Sequence, residues 1–312
     1  MTLSRRHWLL LAISALALAW AVGLLWRAWP EVYANLQRMH AAWLALVVLG
    51  ASVAACVNFE VFNALFAQLR GAGFGRLRLA HLHFTAQLMR HLPGRVWGVA
   101  CQSATGGASV AEWVGVNAMY TMLSGASAVW ISLAIYAAVR DWRAGVAVFA
   151  LGALGYFVCW SPRVFAGLTW LLSKLPFAGK LAAALAAFGV VPVRVKGRLL
   201  LWLTIGWAIY FGSWAGYGLA WPGLAAQDAI GMAAMYTLAW LIGYLSFVTP
   251  SGVGVREFAF VLLAHDYPPD AVAAMAVFGR IILLLVDVLL AAAFSPFSLR
   301  RAGSPDAESR SG

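Results

Sequence analysis

Thr249-Pro250-Ser251-Gly252-Val253-Gly254-Val255-Arg256-Glu257 interrupts an apolar run that otherwise extends from Ala229 to Ala264. Proline cannot continue a helix interior, and glycine is the default residue where the chain turns sharply. The stretch therefore breaks a helix near its middle and opens a new one with an arginine and a glutamate in its first turn. A second interruption, Leu92-Pro93-Gly94-Arg95, lies in the earlier segment 79–111 and has the same character. Everything around these two breaks is strongly apolar.

Of the 312 residues, 63% are hydrophobic and only 11% are charged. Soluble domains carry roughly 25% charged residues, so a soluble globular protein, a disordered chain and a secreted disulfide scaffold are excluded. Three cysteines, Cys56, Cys101 and Cys159, sit in apolar stretches and imply no disulfide framework. One bilayer crossing needs ~20 apolar residues. Full spans are expected at Trp8 to Trp26, Ala41 to Leu69, Glu112 to Val139, Gly145 to Trp160, Leu199 to Ala220 and Ala271 to Phe294. Trp8 to Trp26 is longer than the hydrophobic region of a cleaved signal, so it reads as a span oriented by Arg5 and Arg6. Tryptophans near the span ends (Trp26, Trp29, Trp142, Trp160 and Trp221) read as an interfacial belt.

The net charge of +11 is explained by the excess of Lys and Arg in cytoplasmic loops rather than by nucleic acid. Arg5, Arg6, Arg70, Arg76, Arg78, Arg163, Lys174, Lys180, Arg194, Lys196, Arg198, Arg300, Arg301 and Arg310 fall on one side; Arg27, Arg38, Arg140 and Arg143 fall on the other. Both termini are then cytoplasmic, and the chain belongs in a cytoplasmic (inner) membrane. With this topology residues 79–111 begin and end inside, and residues 229–264 begin and end outside. Each is expected to be a broken, re-entrant helical hairpin, the two coming from opposite faces. Such a pair in the two halves of a chain points to an inverted-repeat transporter fold; kinked ordinary helices are the alternative. The fold class expected is an all-α polytopic membrane protein with about six full spans and two re-entrant hairpins. Residues 1–298 form one membrane domain. The basic amphipathic segment at about 163–197 lies on the inner leaflet, drawn to anionic lipid, and residues 299–312 form a disordered cytoplasmic tail.

Charges within the membrane are costly and mark pathways or paired sites. The candidates are Glu60, Arg90, Arg95, Arg256, Glu257, Arg280 and Asp287, with Pro93, Gly94, Pro250, Gly252 and Gly254 shaping the breaks. A helix beginning after a break turns unpaired N–H groups toward whatever lies before it. Together with arginines, this suits a phosphate or carboxylate. Glu257, Asp287 and Glu60 are the acids available to pair the arginines or to exchange protons. Interhelical ion pairs that fix the packing, and snorkelling of Arg90 and Arg95, are the competing readings. Glu60 fits a local hydrogen bond with Asn63 equally well. His81 and His83 do not share a helix face, and no zinc spacing is present, so no metal and no cofactor is expected.

The element Leu92-Pro93-Gly94-Arg95-Val96-Trp97-Gly98, taken with Pro250-Ser251-Gly252-Val253-Gly254-Val255-Arg256-Glu257 and Arg280, resembles the lysylphosphatidylglycerol synthase transmembrane family of flippase-like proteins. The likeness spans nearly the whole chain, and its P-x-G-x-G-x-R-E element is the more specific motif. It implies a helical membrane domain with re-entrant segments that handles lipids. Some relatives carry a soluble aminoacyl-transferase domain, and others occur beside glycosyltransferases of isoprenoid-linked sugar pathways. Only short loops and a tail lie outside the apolar runs here, so synthase activity is not expected. Val99, Ala100, Cys101 and Gln102 stand where the family suggests a charge, leaving Arg95 more of that site.

The expected function is a lipid translocase or lipid-handling transporter, not an enzyme. Its ligand is a lipid with an anionic or zwitterionic head group, or an isoprenoid phosphate. An intramembrane transferase using Glu257 or Asp287 as base is one alternative. A non-transporting partner of a lipid synthase or glycosyltransferase is another.

Overall fold

The computed structural model describes residues 41–70, 74–91, 97–174, 179–245, 252 and 254–298, with isolated positions between 26 and 37. The apolar run Trp8 to Trp26 (apart from Trp26), the break residues Pro93, Gly94, Arg95 and Pro250, and the tail 299–312 lie outside the described residues. Among the described residues the regular structure is entirely helical. The helices are α1 (Ala41–Arg70), α2 (Arg76–Met89), α3 (Trp97–Gly106), α4 (Val110–Arg140), α5 (Trp142–Cys159), α6 (Pro162–Ser173), α7 (Gly179–Gly189), α8 (Val193–Leu219), α9 (Ala226–Leu245), α10 (Val255–Leu263) and α11 (Pro269–Phe294), followed by a 3₁₀ turn at Ser295–Ser298.

Five of these, α1, α4, α5, α8 and α11, are long and apolar enough to cross a membrane. Their outward faces agree with that. On α11, Ile281, Leu284, Leu285, Val288 and Leu289 are each more than 40% exposed, while Ile282, Leu283, Val286, Asp287 and Leu290 on the other face are buried. In water so large an apolar face would be an aggregation liability; against hydrocarbon it is the expected outer surface. This is the architecture of an all-α integral membrane protein.

Local signals set the helix ends. Ser109 and Glu112 form a capping box at the start of α4, each side chain accepting a hydrogen bond from the other's backbone N–H. Ser161 caps α6, with Pro162 in its first turn. Asp141 alone joins α4 to α5: its extended backbone ends one helix, and its carboxylate accepts the N–H of Arg143 in the next. One connecting residue leaves no freedom but an antiparallel pair. The pair closes on small residues, with Gly145 against Ala138 and Gly152 against the ring of Trp130.

The same packing fixes the direction of the other contacts. Gly50 of α1 meets Ser213 of α8, and Gly206 of α8 meets Asn58 of α1, so these two long helices run antiparallel. Without a hydrophobic drive between helices in lipid, association rests on such close approach. Trp207, Tyr210, Trp214 and Tyr217 recur along α8 at three- and four-residue steps and are all buried. Trp207 packs on Trp240, and Trp214 packs on Tyr236 of the antiparallel α9. The expected interfacial belt holds only in part. Trp26 and Trp142 are exposed, but Trp160 and Trp221 are buried in protein. Trp160 is held there because its indole N–H donates to the Phe188 carbonyl at 2.6 Å.

The helices flanking each broken segment pack against each other as an antiparallel pair, or hairpin. In the first, Gly98 of α3 lies against Ala86 of α2, and Arg78 of α2 donates to the Thr105 carbonyl of α3 at 2.9 Å. In the second, Gly243 of α9 lies against Arg256, and Tyr236 of α9 lies edge-on to Phe260 of α10. Both pack along α11 but from opposite ends. Moving down α11, Gly279 meets Tyr236 and Arg280 meets Glu257 of the second hairpin; then Asp287 meets Arg90, and Phe294 meets Phe84, of the first. The C-terminal end of α2 and the N-terminal end of α10 therefore face each other near the middle of α11. In the basic segment, α6 and α7 form a short helical pair that leaves Trp170 and Leu171 exposed.

A Cβ on Gly152 would come within 2.5 Å of Trp130 Cγ, whereas one on Gly155 would meet nothing. Gly152→Val is expected to destabilise the purified protein by about 1–3 kcal/mol through overpacking. Gly155→Val should be neutral. Thermal unfolding in detergent, followed by near-ultraviolet circular dichroism, checks the difference.

Candidate functional site

The tip of the first hairpin brings two basic side chains to the end of α2. Arg90 caps the helix, and the N–H of His91 donates back to the Leu88 carbonyl, tightening the last turn. Positive side chains are favoured at this end of a helix, where carbonyls are unpaired. Both then meet one carboxylate from α11: Arg90 Nη2 and His91 Nε2 each lie 2.8 Å from Asp287 Oδ2. Arg90 Nη1 also donates to Gln87 Oε1 at 2.9 Å, which orients the guanidinium.

The second tip is organised by Glu257. Gly252 and Gly254 have φ of +66° and +78°, a region that side chains with a Cβ rarely occupy. Gly252 also lies so close to the backbone of Gly243 that a Cβ would overlap it. These glycines turn the chain tightly into α10, placing Arg256 and Glu257 in its first turn. Glu257 Oε2 accepts the Gly254 N–H at 2.7 Å, while Oε1 accepts from Arg256 Nη2 at 3.1 Å and Arg280 Nη1 at 3.2 Å. The Gly254 amide is thus satisfied by the helix's own glutamate and does not face the cavity unpaired as the sequence suggested. A carboxylate one turn away reaches it with little further loss of freedom.

Between the tips lies a cavity of about 100 Å³ lined by Arg90, His91, Trp240, Tyr244, Arg256, Arg280 and Leu283. Three guanidiniums border it, held by two carboxylates, so the set carries a net positive charge even with His91 neutral. Arg256 and Glu257 are almost wholly buried, at 6% and 4% exposure. Arg256 lies over the ring of Tyr236, 5.6 Å from its centre. Its Nε is buried with no hydrogen-bond partner among the described residues. Of the five donors on Arg280, only Nη1 is used by another described residue. The unused donors of Arg280 beside this space are the groups an anion with several oxygens requires.

Five of the residues singled out in the sequence, Arg90, Arg256, Glu257, Arg280 and Asp287, are brought together here, with Gly252 and Gly254 shaping the second tip. Glu60 is not. It is engaged by Arg76 at the start of α2 and by Asn63, 3.4 Å away on its own helix. The Arg76 side chain is 66% exposed, so this pair belongs to the edge of the molecule. Arg280 and Asp287 share a helix face as their spacing suggested, yet each bonds a different hairpin. His91 was noted beside the first break but not carried into the expected site, and Trp240 and Tyr244 were not anticipated. His91 adjoins Arg90 at the first break, which was the available signal. Trp240 and Tyr244 stand one turn apart on α9, stacked at 5.3 Å, and nothing in their sequence context separates them from the other aromatic residues. Among the described residues, no group of three or more His, Cys, Asp or Glu is placed to hold a metal ion.

Removing one partner of a buried ion pair typically costs about 3–5 kcal/mol, whereas exposed pairs contribute about 0–1 kcal/mol. Glu257→Ala leaves two arginines and a helix N-terminus uncompensated and is expected to fall in the first range; Glu60→Ala should fall in the second. Denaturant unfolding of both variants in mixed micelles tests the contrast.

Compared with family models, curated proteins and solved structures, the chain matches none.

Proposed function

We propose that this protein is a lipid translocase, or lipid-handling transporter, that binds a phosphate-bearing head group between the tips of two broken helical hairpins. The observation that carries the reading is the cavity where the two hairpins meet: three arginines around about 100 Å³, with most donors of Arg280 unused by the described residues. Its depth supports the same reading. Arg280 and Asp287 are the twelfth and nineteenth of the 26 residues of α11. A helix of that length extends about 39 Å at 1.5 Å per residue, so both lie well within the ~30 Å hydrocarbon core. A positive cavity at that depth has no use for a soluble cation and suits an anion that arrives attached to a lipid.

In this reading the hairpin α2–α3 enters from the cytoplasmic face and α9–α10 from the opposite face, as inverted repeats, with both termini cytoplasmic. The membrane is the cytoplasmic (inner) one. On their sequence motifs alone, the same reading assigns Pro93, Gly94, Arg95 and Pro250 to the site. The resemblance of the break motifs to the lysylphosphatidylglycerol synthase transmembrane family points the same way. Arg90, Arg256 and Arg280 bind phosphate oxygens; Asp287 and Glu257 hold those arginines in place and keep the empty site from carrying an unbalanced triple charge. Because each carboxylate is shared, a phosphate can compete for one guanidinium without leaving the carboxylate unpaired. Binding then costs little reorganisation, as turnover requires.

Purified protein in vesicles containing fluorescent phosphatidylglycerol is expected to move the labelled lipid between leaflets, read by quenching from outside. Arg256→Ala and Arg280→Ala should each slow this at least tenfold, with Glu60→Gln within twofold of wild type. Equal movement in all three variants sinks the site. A chemically altered lipid recovered from the vesicles points to a transferase instead.

A further inference from the structure

The arginine cavity is not closed on all sides. A smaller recess of about 40 Å³ adjoins it, sharing Arg90, Trp240 and Tyr244, and is also bordered by Gln87, Thr121 and Ser124. Beyond that lies an open groove of about 690 Å³ between α3, α4 and α9. Thr121, Gly125, Leu241 and Tyr244 border both the recess and the groove. Tyr244 therefore touches all three spaces, and its hydroxyl lies 3.1 Å from that of Thr121. The volume falls within the ~300–1,000 Å³ usual for ligand clefts.

The lining changes along this path. Guanidiniums surround the innermost space, an amide and hydroxyls border the middle one, and the groove is faced by Val99, Ala118, Met122, Ala126 and Leu241. Ala118, Met122 and Ala126 lie one turn apart on a single face of α4. Two alanines in that row keep open a channel that larger side chains would fill. A charged, then polar, then apolar sequence of surfaces matches an amphiphile laid end to end: phosphate, ester or ether oxygens, hydrocarbon.

We propose that the α3–α4–α9 groove is a binding site for a hydrocarbon chain of the lipid whose phosphate occupies the arginine cavity, with Tyr244 and Thr121 at the junction of head and tail. This rests on the head-group reading above and adds to it the route of access: the lipid comes sideways from the bilayer along the open groove bordered by α3, α4 and α9, not through an aqueous vestibule. The specificity of the site then includes chain length as well as head group.

Calorimetry with two probes separates the parts. Glycerol phosphate reports the head-group site alone, and octyl phosphate reports head group plus chain. Wild-type protein in discs of uncharged-at-net lipid is expected to bind octyl phosphate at least tenfold more tightly than glycerol phosphate. Ala118→Trp/Ala126→Trp, which fills the groove, should bind glycerol phosphate as wild type does and lose the preference for the chain. The single Ala126→Trp variant, the milder change, should lose at least half of it on a logarithmic scale. A tenfold chain preference that survives in both variants overturns the groove assignment and leaves that surface to another occupant, such as a partner's helix. Glycerol phosphate binding that is absent, or is unaffected by Arg256→Ala, overturns the head-group reading and this inference with it. Retained glycerol phosphate binding by the tryptophan variants shows that they are folded.

Discussion

Two opposite charges on one apolar helix constrain the rest of this molecule. Arg280 and Asp287 lie in the middle of α11, where the surroundings have a low dielectric and an unpaired charge is costly. Their spacing puts them on the same face but too far apart along the axis to pair with each other, about 10 Å at 1.5 Å per residue. Each must be compensated from another element. Glu257 supplies the partner for Arg280, and Arg90 and His91 supply it for Asp287. Because those partners stand at the tips of two hairpins, pairing the charges of α11 also fixes where both tips lie.

The hairpins can reach that position only if their legs pack closely. Gly243 against Gly252 and Arg256, and Gly98 against Ala86, are contacts of backbone on backbone or on the side-chain carbons nearest it. Behind the second hairpin, the aromatic row on α8 holds α9 through Trp207, Trp214, Trp240 and Tyr236. Rings have few rotatable bonds, so this wall is stiff. The site is therefore rigid on the α8–α9 side and electrostatically sprung at the tips.

Much of this was legible in the sequence, and for definite reasons. Helices long enough to span a bilayer follow from the uninterrupted apolar runs, and the ends of the shorter helices follow from Pro and Gly near them. Arg90, Arg256, Glu257, Arg280 and Asp287, which the fold brings together, stood out because few charges occur in the apolar sequence. Other features were not. Trp160 and Trp221 have the composition of interfacial residues, yet the packing of neighbouring helices buries them. Glu60 resembles Glu257 and Asp287 in sequence context, but α1 places it near the start of α2, where Arg76 engages it. His91 and Tyr244 are ordinary until the opposing hairpin and α4 are brought beside them.

By itself, the sequence determined that the chain is a bundle of apolar helices with two internal breaks and a handful of charges that water cannot solvate. These are properties of residues and their near neighbours: hydrophobicity over some twenty positions, the missing N–H of proline, the freedom of glycine at positive φ. Only the tertiary structure decided which charge meets which. Asp287 pairs with residues nearly two hundred positions earlier, and Glu257 pairs with Arg280 across a turn and a helix. Tyr244 borders a cavity, a recess and a groove contributed by separate elements. The free energy of an ion pair or a cavity depends on what stands opposite in space, and no local pattern along the chain carries that information.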